Sequence, residues 1–490
     1  MAPPLPIEIE PSSTNGQPHL ADAYNRHVAV VAFPFSSHAS ALLETVRRLA
    51  SALPNTLFSF FSTSKSNSSL FSNNSINNMP RNIRVYDVAD GVPEGYVFVG
   101  KPQEDIELFM NAAPENIRRS LDASVADIGK QISCLITDAF LWFGVHLADE
   151  LGAPWVTFWI SGLKSLSVHV HTDLIRDTIG TQVSNFVHSG ITGRENDLIV
   201  DKNVNIQGLS NVRIKDLAEG VIFGNLDSVI SGMLLQMGRL LPRATAVFMN
   251  GFEELELPVP NDLKSKVNKL LNVGPSNVAS PLPPLPPSDA CLSWLDKQEA
   301  PSSVVYISFG TVASPAEKEQ MAIAEALEAT GAPFLWSIKD SCKTPLLNEF
   351  LTKTLSKLNG MVVPWAPQPH VLAHDSVGAF VSHCGWNSIM ETIAGGVPMI
   401  CRPYFADQRL NARMVEEVFE IGVTVEDGVF TREGLVKSLE VVLSPESGRK
   451  FRDNIKRVKQ LAVEAVGPQG SSTRNFKSLL DIVSGSNYQV

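Results

Sequence analysis

The sequence predicts an α/β protein built from two doubly wound domains that face each other across a cleft. Three observations predict it. Short apolar runs alternate with helical patterns along most of the chain. A proline-rich stretch at 274–290 interrupts the alternation once, after which it restarts. At 490 residues the chain exceeds what a single ordinary core organises.

Residues 1–25, rich in Pro, Ser and Asn, read as a disordered tail. H-V-A-V-V-A-F (27–33) is an apolar run of the kind buried on both faces of a parallel sheet. Leu42, Leu43, Val46 and Leu49 then recur at helical spacing, leaving Arg47 and Arg48 to face outward. Strands are predicted at 56–62, 83–88, 132–137 and 155–159, with helices over about 104–129 and 141–151 and a long helical stretch after 159. Residues 177–205 have weak periodicity and read as loop or short helices. Six prolines in 274–290 favour an extended connector. Beyond it, strands at 303–309, 334–338, 377–382 and 397–401 interleave with helices at 316–328, after Ser382, and at 408–419. The organisation expected is a tail (1–25), an N-terminal domain (26–270), a Pro-rich linker (271–290), a C-terminal domain (291–465) and a terminal segment (466–490).

Composition excludes several classes. A net charge of -11 without long runs of like charge leaves no basic footprint for nucleic acid. Cys134, Cys291, Cys342, Cys384 and Cys401 are an odd number, widely spaced and without a C-x-x-C pair. That argues against a disulfide framework and a structural zinc site, and for a reducing compartment. The segment M-A-P-P-L-P-I-E-I-E has no apolar h-region, so no signal peptide is expected. No apolar run reaches the roughly 18–20 residues of a membrane span. A cytoplasmic monomer without stable membrane insertion is expected, with the N-x-S triplets at Asn67 and Asn73 unglycosylated.

The richest stretch runs from Trp365 to Gln408. His383, Gly385, Trp386, Asn387 and Ser388 follow the strand ending at Ser382 and open a helix. A helix start after a strand presents free N–H groups and a positive dipole end to an anion such as a diphosphate. Helix capping alone would explain Asn387 and Ser388 but not His383 or an exposed Trp386. Glu391 lies one turn beyond Ser388, within reach of a ribose diol. Trp365 offers a flat face for a base, although a lone Trp is more often core; Gln368 adds a polar contact. Asp407 and Gln408 suit hexose hydroxyls, although alone they read as a helix N-cap. His38, in the loop after the first strand, and Asp138, directly after the strand 132–137, fall on the same edge of one sheet. A His held by a carboxylate is suited to general-base chemistry near neutral pH, although an isolated loop His is usually structural.

Together, W-A-P-Q (365–368), H-C-G-W-N-S-x-x-E (383–391) and D-Q (407–408) resemble the signature of plant family 1 UDP-sugar glycosyltransferases. Y-I-S-F-G-T (306–311), D-G-V-P-E-G-Y (90–96), P-Q-E-D-I-E-L-F (102–109), F-G-N-L-D-S (223–228) and V-G-P-x-G-S-S-T (466–473) extend the resemblance toward the branch that glucosylates flavonoids at the 3-hydroxyl. The resemblance implies a GT-B fold of two Rossmann-like domains, with UDP-sugar on the C-terminal one and acceptor on the N-terminal one. It also implies a last helix, about 470–485, that returns to the N-terminal domain. By resemblance, His38 and Asp138 are the catalytic pair, and Gln103 with His38 contacts the acceptor. Thr311, Trp365, Ala366, Gln368, His383, Gly385, Trp386, Asn387, Ser388, Glu391, Asp407 and Gln408 would hold the donor.

The function expected is inverting transfer of glucose from UDP-glucose to the 3-hydroxyl of a flavonol or anthocyanidin. No cofactor is expected, and no metal, because the chain lacks D-x-D. Three positions depart from the family pattern. Ile160 replaces the Thr of F-W-T-x-G, whose hydroxyl would contact the sugar's C6 oxygen; Lys164 replaces a common Asn, and Ala41 a common Pro. Either Ser161 next door substitutes for that hydroxyl or the donor lacks the C6 hydroxyl, so Ile160 keeps rhamnose or xylose donors open, while Trp386 and Gln408 favour glucose over galactose. The alternatives are another UDP-sugar, another phenolic acceptor, or a catalytically silent binder of flavonoid or nucleotide sugar. A nicotinamide oxidoreductase is disfavoured by the absence of G-x-G-x-x-G after a strand.

Overall fold

The computed structural model describes residues 23–72, 79–101, 103–180, 203–204, 206, 209, 212–255, 261–282, 284–285, 289–355 and 358–486. The tail expected at 1–25 and the weakly periodic 177–205 lie largely outside the described residues, as does Asn73.

Two fully parallel sheets carry the fold. The first has seven strands: β1 (Arg26–Val31), β2 (Thr56–Thr63), β3 (Ile83–Val88), β4 (Ile132–Asp138), β5 (Trp155–Trp159), β6 (Ala246–Met249) and β7 (Leu270–Asn272). Their order is β3-β2-β1-β4-β5-β6-β7. The second has six: β8 (Val304–Ser308), β9 (Phe334–Ser337), β10 (Gly360–Val363), β11 (Val377–Ser382), β12 (Met399–Cys401) and β13 (Gly422–Thr424), in the order β10-β9-β8-β11-β12-β13. Each order reverses direction once, between β1 and β4 in the first sheet and between β8 and β11 in the second. Ligands bind open parallel sheets at such points, outside the carboxyl ends of the strands.

The apolar runs form strands because both of their faces are covered. In β1, Ala29 and Val31 enter one core cluster while Val28 and Val30 enter the other. In β8, Val304 and Tyr306 alternate with Val305 and Ile307 in the same way.

The helices that frame the site are α1 (His38–Ala52), α2 (Glu104–Ile128), α3 (Gln368–Leu372), α4 (Trp386–Gly395), α5 (Gln408–Arg413) and α6 (Ser471–Ser484). α1 buries Leu42, Leu43, Val46 and Leu49, the stripe read from its spacing. α6 places Leu479, Ile482 and Val483 in a core cluster of the first sheet. Arg48 lies 4.3 Å over the Phe476 ring, and Asn475 donates to the Asn272 carbonyl. Among the described residues no helix is long and apolar enough to cross a membrane.

Several expectations need correction. β7 runs to Asn272, so the connector begins after it rather than at 271, and its first part is a short helix (Ser276–Ala279) rather than extended chain. β6, β7 and β13 were not predicted; at 4, 3 and 3 residues they are too short to show a period. Asp138 is the last residue of β4 rather than the one after it. The helix expected over 408–419 is α5 followed by a π-helical turn at Met414–Val418, a wider winding that recurs beside functional sites.

Candidate active site

The turn after β1 puts His38 at the start of α1, and β4 ends on Asp138, so both stand at the switch point of the first sheet. His38 Nδ1 lies 2.8 Å from Asp138 Oδ2, and the two residues are 7% and 1% exposed. A carboxylate only accepts, so Nδ1 carries the ring proton and Nε2 of the neutral ring presents a lone pair. Asp138 Oδ1 also accepts the Phe140 backbone N–H at 2.9 Å, which fixes the carboxylate. Phe140 and Phe33 pack on the imidazole at centroid distances of 4.5 and 5.0 Å, and Phe35 and Phe109 extend the aromatic wall. Gln103 is exposed and left-handed (φ 65°) at the N-cap of α2, one and a half turns before Phe109.

The second sheet presents its own switch point. Gly310 and Thr311 follow β8, and His383 follows β11. A Cβ at Gly310 would stand 2.9 Å from His383 Cε1, and one at Gly385 would stand 2.6 Å from Nε2. Both glycines therefore make room for the ring. Burial lowers the His383 pKa to about 4, so the ring is neutral, and its Nδ1 has no hydrogen-bond partner among the described residues. A neutral imidazole in that position has one N–H to give an anion. α4 begins at the same point, with Gly385 as an N-cap that supplies no side-chain acceptor and with no acid in the first turn. Its N–H groups stay available.

Around this start, Trp365 is 68% exposed, as a stacking platform requires, whereas the next residue, Ala366, is buried. Gln368 is not a loose polar contact. Its amide nitrogen lies 3.1 Å from Ser388 Oγ and 2.5 Å from Glu391 Oε2, and its Oε1 accepts from the Tyr306 hydroxyl at 3.1 Å. Burial raises the Glu391 pKa to about 7 against that bond.

Trp386 corrects a further expectation: it is 5% exposed, not exposed. Its indole N–H donates 2.7 Å to the Asn250 carbonyl, and burial follows from that partner on the other domain. Asn387 donates to Ser37 Oγ at 3.4 Å, next to His38. The start of α4 is thus tied to the loop of the catalytic candidate.

Asp407 caps the arrangement. Burial raises its pKa, opposed by hydrogen bonds from Ser161 and Asn411 and by the nearby His38. Gln408 is buried, and its Oε1 accepts the Tyr404 and Phe405 backbone N–H groups at 2.8 and 3.1 Å. Its carbonyl oxygen is therefore spent on the loop, and its NH2 end is the one left to address a ligand. Ile160 packs against the core cluster beneath the first sheet.

Sequence reasoning missed Phe33, Phe35, Phe140 and Asn250. The F-P-F spacing just before His38 was a usable signal for the aromatic wall. Nothing local marks Asn250, whose partner lies 136 residues away.

The profile of the UDP-glucoronosyl and UDP-glucosyl transferase family matches residues 289–464. The chain is 58% identical to anthocyanidin 3-O-glucosyltransferase 2 of Fragaria ananassa, over 93% of this chain and 97% of that one. It is 55% identical to the anthocyanidin 3-O-glucosyltransferase of Vitis vinifera, over 94% and 98%. A solved structure of a UDP-glucose: anthocyanidin 3-O-glucosyltransferase in complex with UDP superposes with a TM-score of 0.84 at 40% identity, covering 94% of this chain and all of that one. With two Rossmann-like sheets in a GT-B arrangement and this degree of identity, the chain belongs to the plant family 1 UDP-sugar glycosyltransferases.

Proposed function

We propose that the protein transfers glucose from UDP-glucose to the 3-hydroxyl of a flavonol or anthocyanidin, with inversion at the anomeric carbon. The observation that carries the chemistry is the buried His38–Asp138 pair, set in aromatic side chains and tied through Ser37 to the start of α4. The two anthocyanidin 3-O-glucosyltransferases above support the choice of substrates.

In this mechanism the planar acceptor lies against Phe140 and Phe33, with Gln103 at its edge. His38 Nε2 takes the hydroxyl proton, and Asp138 stabilises the imidazolium that forms. The oxygen attacks the anomeric carbon from the face opposite UDP, and the bond to the diphosphate breaks with its electron pair leaving on UDP. The α4 N-terminus, His383, Ser388 and Thr311 take up that charge, and no metal is invoked. Trp365 stacks the base, Glu391 accepts from the ribose diol, and Asp407 and Gln408 hold the sugar. Both halves of the site come from one chain, so a monomer suffices, and five free cysteines suit the cytoplasm.

Ile160 favours one second reading, a donor without the C6 hydroxyl such as UDP-rhamnose or UDP-xylose. Mass-resolved products from a matrix of UDP-sugars and phenolic acceptors separate the two. The proposal requires hexose addition to a flavonol and none to the same flavonol methylated at its 3-hydroxyl; stronger rhamnose or xylose transfer would replace it.

A further inference from the structure

We propose that Glu104 is a positioning residue for the acceptor: its carboxylate folds the 96–101 loop around itself and thereby sets the left-handed backbone that presents Gln103. The inference rests on Gln103 meeting the edge of the acceptor, as proposed above.

Glu104 opens α2, yet its side chain turns back onto the chain that precedes it. Oε1 accepts from the Tyr96 hydroxyl and from the Val99 backbone N–H, the latter at 3.2 Å. Oε2 accepts the backbone N–H groups of Val99, Gly100 and Lys101 at 3.1, 3.1 and 3.3 Å. Successive N–H groups gathered on one anion form a nest, and here the chain fills its own. The Tyr96 hydroxyl above all, and then the three N–H groups, hold the carboxyl group below its usual range against the cost of burial.

Apolar burial does not hold this loop. Val97, Phe98 and Val99 are 79, 50 and 69% exposed, and the Tyr96–Phe98 ring contact lies within the loop itself. What fastens the loop to the start of α2 is Glu104, through its carboxylate and through its backbone N–H, which donates to the Lys101 carbonyl at 3.3 Å. Gln103 stands between the two with φ 65°, a conformation that persists in a non-glycine residue only where its surroundings impose it. Its carbonyl accepts the Glu107 N–H at 3.0 Å and so begins the helix, while its side chain does not cap α2. The Gln103 amide is therefore not spent on the helix, and its direction is set by the clasp beside it.

The test measures kcat and the KM values for a flavonol and for UDP-glucose in wild type, Glu104→Gln, Gln103→Ala and the double variant. Hydrogen exchange over 96–101 is followed in wild type and Glu104→Gln. Glutamine keeps the shape of the side chain but replaces one accepting oxygen with a donor, so the loop amides should exchange faster. The flavonol KM is expected to rise about three- to tenfold, the scale of one hydrogen bond, with the UDP-glucose KM within about twofold. Because Glu104 acts through Gln103, the double variant should match Gln103→Ala within about twofold. An unchanged flavonol KM or unchanged exchange in Glu104→Gln, or losses that multiply in the double variant, would overturn the inference and leave Gln103 in its role. An unchanged flavonol KM in Gln103→Ala would instead remove Gln103 from the acceptor site, and the inference with it.

Discussion

Gln368 and Glu391 form one unit: the glutamine amide lies 2.5 Å from the carboxylate, and burial pushes the carboxyl group to about 7. Without donor, the folded protein holds this proton up to about pH 7, whereas the unfolded chain releases it near 4.5. Its contribution to stability is therefore full below 4.5 and is lost as pH rises through 7. Hydroxyls donating to Glu391 favour the ionised form. UDP-glucose affinity is accordingly expected to rise about tenfold from pH 6 to 8, with proton release on binding. Calorimetry in buffers of different ionisation enthalpy measures both, and Glu391→Gln should flatten the profile. A profile unchanged by that substitution contradicts the role of Glu391.

Phe140 stands 4.5 Å from the His38 ring, on the side where the proposed mechanism puts the acceptor. Phe140→Ala is expected to raise the acceptor KM up to about tenfold, the worth of one aromatic contact, and to leave the KM for UDP-glucose unchanged. Initial rates with each substrate varied in turn give the two constants; a rise confined to the donor constant would misplace the acceptor.

Arg402 meets Glu319 through two bonds, of 2.7 and 3.1 Å, while its guanidinium lies 4.0 Å over the Tyr404 ring. This pair anchors the loop that leads to Asp407. Arg402→Ala leaves the shielded Glu319 carboxylate unpaired, at a cost of about 3–5 kcal/mol. Thermal unfolding should shift down by several degrees and the donor KM should rise. A melting temperature within one degree of wild type would mean that the pair is not structural.

Trp386 joins the domains through its indole N–H to the Asn250 carbonyl. Trp386→Phe removes the indole N–H with part of the buried ring and strands that carbonyl, so at least about 1–2 kcal/mol of stability is expected to go. Urea unfolding reads it. The same substitution without loss would show that the bond is replaced by water.

The parts of the molecule legible in the sequence are those dictated by local pattern. Apolar runs such as 27–33 and 377–382 are buried on both faces, and the carboxyl end of such a strand in an α/β sheet falls at the ligand edge, which is what singles out His38, Asp138 and His383 as candidates. The contacts across the cleft were not legible. Ser161 with Asp407, and Trp386 with Asn250, depend on how the two sheets face each other, and no periodicity encodes that. Trp386 read as exposed because its burying partner lies on the other domain. Gln368 and Gln408 read as free amides because a side chain's commitment to neighbours appears only when the loop is folded.

The proposed chemistry turns on His38 acting as the base. The most direct measurement is the rate of glucose transfer from UDP-glucose to a flavonol by His38→Ala, alongside its affinity for UDP. Turnover is expected to fall at least about a hundredfold, the usual worth of a general base, with UDP affinity within twofold of wild type. Turnover within a few-fold of wild type would contradict it.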